Sequence, residues 1–283
     1  MWDELREEPN GQVKIVFRRN AEGKTYMARQ FWKIPLQILK AHYYDVDGTA
    51  VVYSLNPAGG ILQYDRLLTE IESEAGTDAV FTTPGNNKFY KMDEDCAKVW
   101  NRLYVHEGGV LEYLPEHNVP FARATVLQEN EFRVEKGGVL FAADMVTAGR
   151  VASGEKFAYD RYASRTRIYI DGELALYDNC DLRPSEEDLL RTGLLDGYPT
   201  NGSLYVIADG MDPELKSRVN ELGNEEVRLA AGNVRPDLMV VRFTGDGMIE
   251  MTAMMQRVWD VCRQSILGKP ALRLRKEFSG CSE

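Results

Sequence analysis

From Gln12 to about Leu182 the apolar residues come in short runs, broken by turn residues every eight to twelve positions or so. Val13 to Phe17, Ala50 to Leu55, Val99 to Val105, Val110 to Leu114, Val139 to Val146 and Arg167 to Ile170 are rich in Val, Ile, Leu, Tyr and Phe and read as strands. Between them lie Asp47-Gly48, Ala58-Gly59-Gly60, Pro84-Gly85, Gly108-Gly109, Gly137-Gly138 and Asp171-Gly172. The last of these predicts a tight hairpin, whose two central positions both want positive φ. Around Gly76, Gly109 and Gly138, spaced by 33 and 29 residues, a strand, a charged Gly turn and a second strand recur. Such a period predicts stacked β coils that bury one another's faces. Chance recurrence of Gly turns is the plainer alternative.

Beyond Pro184 the pattern turns mixed. Ser185 followed by Glu186, Glu187 and Asp188 predicts a short capped helix, and Asp212-Pro213 predicts another that Gly223 closes. Leu204 to Ala208, Val227 to Ala230 and Leu238 to Phe243 read as strands. Met251, Met254, Met255, Val258, Trp259, Cys262 and Ile266 recur at helical spacing until Gly268 and Pro270. That stripe is either core or an adaptable docking face, and core is the commoner use. The expected fold is therefore mainly β, a β-helical or layered-sheet body over residues 1–183, with a mixed α/β part over 184–283 that ends in an amphipathic helix.

Length and composition add limits. At 283 residues, with 44% hydrophobic and 28% charged positions, the chain can bury a core without disulfides or structural metal. Thirty-four Lys and Arg against 44 Asp and Glu leave a net charge of −10, which argues against a nucleic-acid binder. Cys96, Cys180, Cys262 and Cys281 form no CxxC pair and read as reduced thiols. The acidic start, Met1 to Pro9, has no apolar run of a signal peptide, and no window is long and apolar enough for a membrane span; a cytoplasmic protein is expected. Only His42, His106 and His117 occur, too few for a metal store. Phosphate-loop, dinucleotide, nucleophile-elbow and HExxH signatures are absent. Abundant carboxylates on a β-solenoid leave acid-base work on a sugar chain as a minor alternative.

Four stretches place polar groups within strand context. They are Asn56-Pro57-Ala58-Gly59-Gly60 running on to Asp65 and Leu67, Thr82 to Tyr90, Leu111 to Phe121, and Leu140 to Val146, after which comes the block Gly149 to Phe157. With Arg165 to Leu174 and Val258 to Lys269, in this order, they resemble the urease accessory protein family UreD, called UreH in some organisms. The likeness spans about Lys24 to Lys269. Two departures stand out: Gln63-Tyr64 replaces a common Gly-Gly, and Ala148 replaces a common Leu.

The resemblance implies a non-enzymatic maturation factor that binds apo-urease and, with UreF and the GTPase UreG, helps deliver Ni²⁺ along an acidic internal passage. It implies no tightly bound cofactor, only transient Ni²⁺, and a complex that dimerises through UreF. A pure adaptor that positions urease without conducting metal is the alternative. Carried over by motif, Asp65, Asp144 and Asp178 mark the nickel path, and Asn87, Lys88, Tyr90, Arg150, Ser153 and Glu155 are further motif positions. Glu116 and His117 are weaker candidates, since stacked coils would bring them towards Asp144. Few His and Cys suit a conductor, which must let the ion leave, better than a reservoir. An acid amid Leu140 to Val146 is costly to bury without a partner, which singles out Asp144.

Overall fold

The computed structural model describes residues 7–274. In chain order the first strands are β1 (Gly11–Arg19), β2 (Thr25–Lys33), β3 (Gln37–Ile38), β4 (Ala50–Leu55), β5 (Arg66–Ser73), β6 (Asp78–Thr82) and β7 (Asn87–Phe89). There follow β8 (Ala97–Val105), β9 (Val110–Leu114), β10 (Asn118–Pro120), β11 (Thr125–Val134), β12 (Val139–Thr147), β13 (Arg161–Ile170) and β14 (Glu173–Leu182). The rest comprises β15 (Thr200–Ile207), α1 (Leu215–Asn220), β16 (Val227–Arg235), β17 (Leu238–Gly245) and α2 (Met248–Leu267).

These strands form a seven-stranded sheet, β14-β13-β11-β8-β5-β1-β2, facing a ten-stranded one that runs β16-β17-β15-β12-β9-β6-β4-β3 with β7 and β10 beside it. The middle of each sheet is parallel, because the chain crosses from one sheet to the other and back in each coil. Asp78 pairs with Val110 and Val110 with Val139, steps of 32 and 29 residues. Arg66 pairs with Lys98 and Lys98 with Leu127 by the same steps. The coil repeat is therefore real, but its register differs by one residue from the Gly76, Gly109 and Gly138 alignment. Gly76, Gly108 and Gly137 take the left-handed conformation, with φ of 71°, 69° and 81°. Their turns stack: Gly76 N–H donates to the Gly108 carbonyl and Gly108 N–H to that of Gly137, each at 3.1 Å. Gly109 serves another need, since a Cβ there would lie 2.8 Å from the Ser73 carbonyl oxygen of the coil below.

Between the sheets, Val13, Ile15 and Phe17 alternate inward from β1 to meet Val52, Phe81, Leu103 and Phe132. The Asp171-Gly172 hairpin joins β13 to β14 as expected, both residues at positive φ. Two helix expectations need correction. Ser185 to Asp188 form turns, because Leu189 and Leu195 tuck into the core and Gly193 and Gly197, both at φ 90°, break any regular run. The helix after Asp212-Pro213 is α1, which starts two residues beyond the proline and ends before Gly223, at Asn220. Asp212 still caps locally, its Oδ1 accepting the Glu214 N–H at 2.9 Å.

The outer face of the ten-stranded sheet is covered by α1 and α2. Met251, Met254, Met255, Val258, Trp259 and Cys262 pack on Val80, Phe141, Leu204 and Val241, so the methionine stripe is core and not a docking face. Gly268, at φ 68°, ends α2 as its spacing predicts. Within this apolar layer lies one charged clasp. Arg263 Nε donates to Glu112 Oε1 at 3.0 Å, Trp259 Nε1 donates to the other oxygen, and Arg263 also donates to the Pro270 carbonyl. Both Glu112 and Arg263 are almost wholly buried, and burial pushes the Glu112 carboxyl up to about 7. Cys96, Cys180 and Cys262 are free thiols, and Cys281 lies outside the described residues.

Candidate functional site

The inner face of the seven-stranded sheet is largely apolar and carries two polar rungs near the middle of the body. In register across β5, β8, β11 and β13, one rung reads Thr69, Asn101, Asn130, Thr166. Asn101 Nδ2 donates to Asn130 Oδ1 at 2.8 Å, and Asn130 Nδ2 to Thr166 Oγ1 at 3.0 Å. Two residues earlier the next rung turns polar at Gln128 and Ser164. Buried amides and hydroxyls of this kind survive only when they satisfy one another or serve a guest.

Asp144 on β12 faces these rungs from the opposite sheet. Its carboxylate accepts from Ser164 Oγ at 2.7 Å, Gln128 Nε2 at 2.9 Å, Asn118 Nδ2 at 3.2 Å and, more weakly, Tyr162 Oη at 3.4 Å. Protein surrounds it and burial raises its pKa, against which these hydrogen bonds act. Among the described residues it has no ion pair to Lys, Arg or His. It is a carboxyl group held by neutral donors.

Asp144 also stands where two cavities meet. One, of about 640 Å³, is lined by Asp144, Tyr162, Ser164, Asp178, Tyr205 and Arg242 among others. The other, of about 60 Å³, lies between the sheets beside Asn87, Asn101, Asn118, Gln128 and Asn130. Asn87, Thr83, Ser54 and Ile61 are shared in turn with a third cavity of about 300 Å³, walled by the Asn56 to Ile61 and Thr83 to Lys88 loops. Three neighbouring cavities thus share lining residues in series. The narrow middle one holds roughly two water molecules at about 30 Å³ each.

The motif residues divide into four sets. Asn87 and Asp144 belong to the central space, with Asn87 Nδ2 donating to Asn118 Oδ1 at 3.2 Å. Asp178 lines the wide end, but Arg242 holds it at 2.7 Å and Tyr205 donates to it, so a tethered cation already sits on this carboxylate. Asp65 lies away from all three cavities. Its Oδ2 accepts the Leu62 N–H at 2.8 Å and closes a turn. Tyr64, where the family commonly has glycine, takes φ 69°, a conformation that costs a non-glycine residue about 1–2 kcal/mol. Gln63 accepts the N–H groups of Asp93 and Glu94, and Tyr64 Oη donates to Glu94 at 3.0 Å, which offsets that cost.

Tyr90, Arg150 and Glu155 form a brace on the outside. Tyr90 meets Phe121 edge-on with ring centroids 5.0 Å apart, and the Arg150 guanidinium lies 4.2 Å from the centre of that ring. Glu155 pairs with Arg150 and accepts the Ala122 N–H at 3.1 Å. Ser153 ends a short 3-10 turn on this loop, and Lys88 contributes its carbonyl, accepting the Ile61 N–H at 2.7 Å. Gly60 lets the Asn56 to Ile61 loop close on the brace, since a Cβ there would lie 2.2 Å from the Tyr90 ring. Gly60→Ala is therefore expected to cost about 1–3 kcal/mol, read as a lower urea midpoint with an unchanged slope. An unchanged midpoint would mean that the ring moves aside freely.

Glu116 and His117 are buried in the turn between β9 and β10, next to Asn118. Asn101, Gln128, Asn130, Ser164 and Thr166 escaped sequence reading, although the coil steps of 32 and 29 residues connect Thr69, Asn101 and Asn130.

A sequence model of one protein family, described as UreD urease accessory protein, matches residues 9–277. The chain belongs to the UreD family. Relatives named Urease accessory protein UreD include one from Cenarchaeum symbiosum (strain A), 34% identical over 67% of this chain and 68% of its own length. Another, from Haloarcula marismortui, is 30% identical over 94% of this chain and 90% of its own length, and one from Actinomyces naeslundii is 29% identical over 87% and 92%. The motif stretches quoted from the sequence build one cavity wall, the exterior brace and the buried clasp. Among the described residues no helix is long and apolar enough to cross a membrane, and no three or more His, Cys, Asp and Glu gather to hold a metal ion.

Proposed function

We propose that this UreD chain acts in urease maturation as a conduit for Ni²⁺, without catalysis of its own, working with UreF, UreG and the urease apoenzyme. The observation that carries the reading is Asp144, a carboxylate held by neutral donors at the junction of two interior cavities. In a passage of this width an ion sheds part of its water shell, and the amide and hydroxyl oxygens of the rungs replace it. Asp144 supplies the negative charge that offsets the loss. Because its pKa is raised, the ion competes there with a proton, so acid opposes passage. At the wide end Arg242 has to release Asp178 before that carboxylate can receive a cation.

A plug separates a conduit from an adaptor. Asn87 lies at the neck shared by the narrow and the outer cavities, and Asn87→Trp fills that neck without removing a charge. In a defined mixture of urease apoenzyme, partner proteins and nickel, the plugged variant is expected to bind urease as the parent does yet leave it about tenfold poorer in nickel. Full nickel content with the plug in place would leave only the adaptor.

A further inference from the structure

His117 is fully buried, and neither Nδ1 nor Nε2 has a hydrogen-bond partner. Leaving both polar atoms of a buried imidazole unsatisfied is costly, and a bound ligand would relieve that cost. It sits in the turn whose neighbours Pro115 and Asn118 line the narrow cavity. Glu116 is buried beside it, with Oε2 3.7 Å from His117 Nδ1. The Asn87 N–H donates to the His117 carbonyl at 2.9 Å, and the pairing of Asn118 with Asn87 sets His117 next to Asn86, whose Oδ1 is also buried without a partner.

We propose that His117 and Glu116 form a transient binding station for a borderline divalent cation beside the narrow cavity, on the strand face opposite the one from which Asn118 lines it. Imidazole nitrogen and carboxylate oxygen bind such ions at about 2.0–2.2 Å each, so one ion can touch both atoms across the 3.7 Å gap. Imidazole favours nickel, copper and zinc over magnesium and calcium, which makes the station selective in a way that carboxylates and amides alone are not. Two protein donors leave the remaining positions to water or to Asn86, so the ion is held weakly enough to leave. The ion's route rests on the conduit reading, but the site itself does not.

The test uses the full chain with ¹⁵N-labelled histidine. Its three histidines give three imidazole spin systems, assigned with His42→Gln and His106→Gln. His106 is the built-in rival, a part-exposed ring between Glu72 at 2.8 Å and Glu135 at 3.2 Å. On addition of nickel chloride alone, the His117 signals are expected to broaden first, with His42 and His106 unchanged. Glu116→Gln should weaken that response about tenfold or more while the melting temperature holds. A response from His106 alone, no response because buried waters satisfy the ring, or an unaltered affinity in Glu116→Gln would each overturn the site. Failure of the conduit would show instead as normal nickel loading by a plugged chain, whatever His117 binds.

Discussion

Arg263→Ala is expected to destabilise the protein by about 3–5 kcal/mol, because it strands the Glu112 carboxylate in an apolar layer. The effect depends on pH in a defined sense. Burial raises the Glu112 pKa from an ordinary 4.5 to about 7, so the folded state binds this proton more tightly than the unfolded one. The stability Glu112 contributes is then fully present below about 4.5 and is lost as pH rises through about 7. With the guanidinium gone, the ionised form is left with only Trp259, and protonation relieves it. Urea unfolding of Arg263→Ala should therefore show its largest deficit near pH 8 and a smaller one near pH 5.5. An equal deficit at both values would mean that Glu112 is not the group left behind. The double change Glu112→Leu with Arg263→Met should recover most of the loss, since a packed apolar pair can replace a buried ion pair.

Asp144→Asn is expected to leave urease nickel-poor, with binding of urease and partners intact. A unit charge about 4 Å from a cation is worth roughly 4 kcal/mol at an effective dielectric of about 20, enough to cut passage well beyond tenfold. The local cost is smaller. Oδ1 of the new amide keeps part of the donor ring and its NH₂ faces Ser164 and Gln128, for a loss of about 1–3 kcal/mol. Ser164→Ala serves as control, removing the shortest of these hydrogen bonds but not the charge. Nickel bound per urease active site, measured after removal of free metal, decides the matter. If Asp144→Asn loads urease as fully as the parent does, the carboxylate has no part in the path.

Much of this arrangement was legible in the residues, and the failures have physical causes. The run at Val13 became a strand because its alternation agreed with burial on one face, and those at Ala50, Val110 and Val139 because short apolar, β-branched runs suit strands buried on both faces. The coil repeat was visible, but Gly-Gly pairs offer two candidates for the left-handed position, and only the first of each takes it. Asn101 and Asn130 were missed because asparagine ordinarily signals a turn, whereas here each sits inside a strand and is satisfied by the next coil. Asp178 carried a motif, yet its charge is answered by Arg242 from β17, a pairing only the sheet order reveals. The acids after Ser185 spelled a helix start, but Gly193 and Gly197 and the pull of Leu189 and Leu195 into the core prevailed.

The cover formed by α2 also sets an order of events. Arg263 reaches Glu112 across 151 residues, so the clasp can close only after Arg263 itself has left the ribosome. Coils can stack as they emerge, each on the one before. Until the last helix is made, however, Phe141, Leu204 and Val241 present an uncovered apolar face to the cell, and a growing chain is most prone to aggregate in that interval.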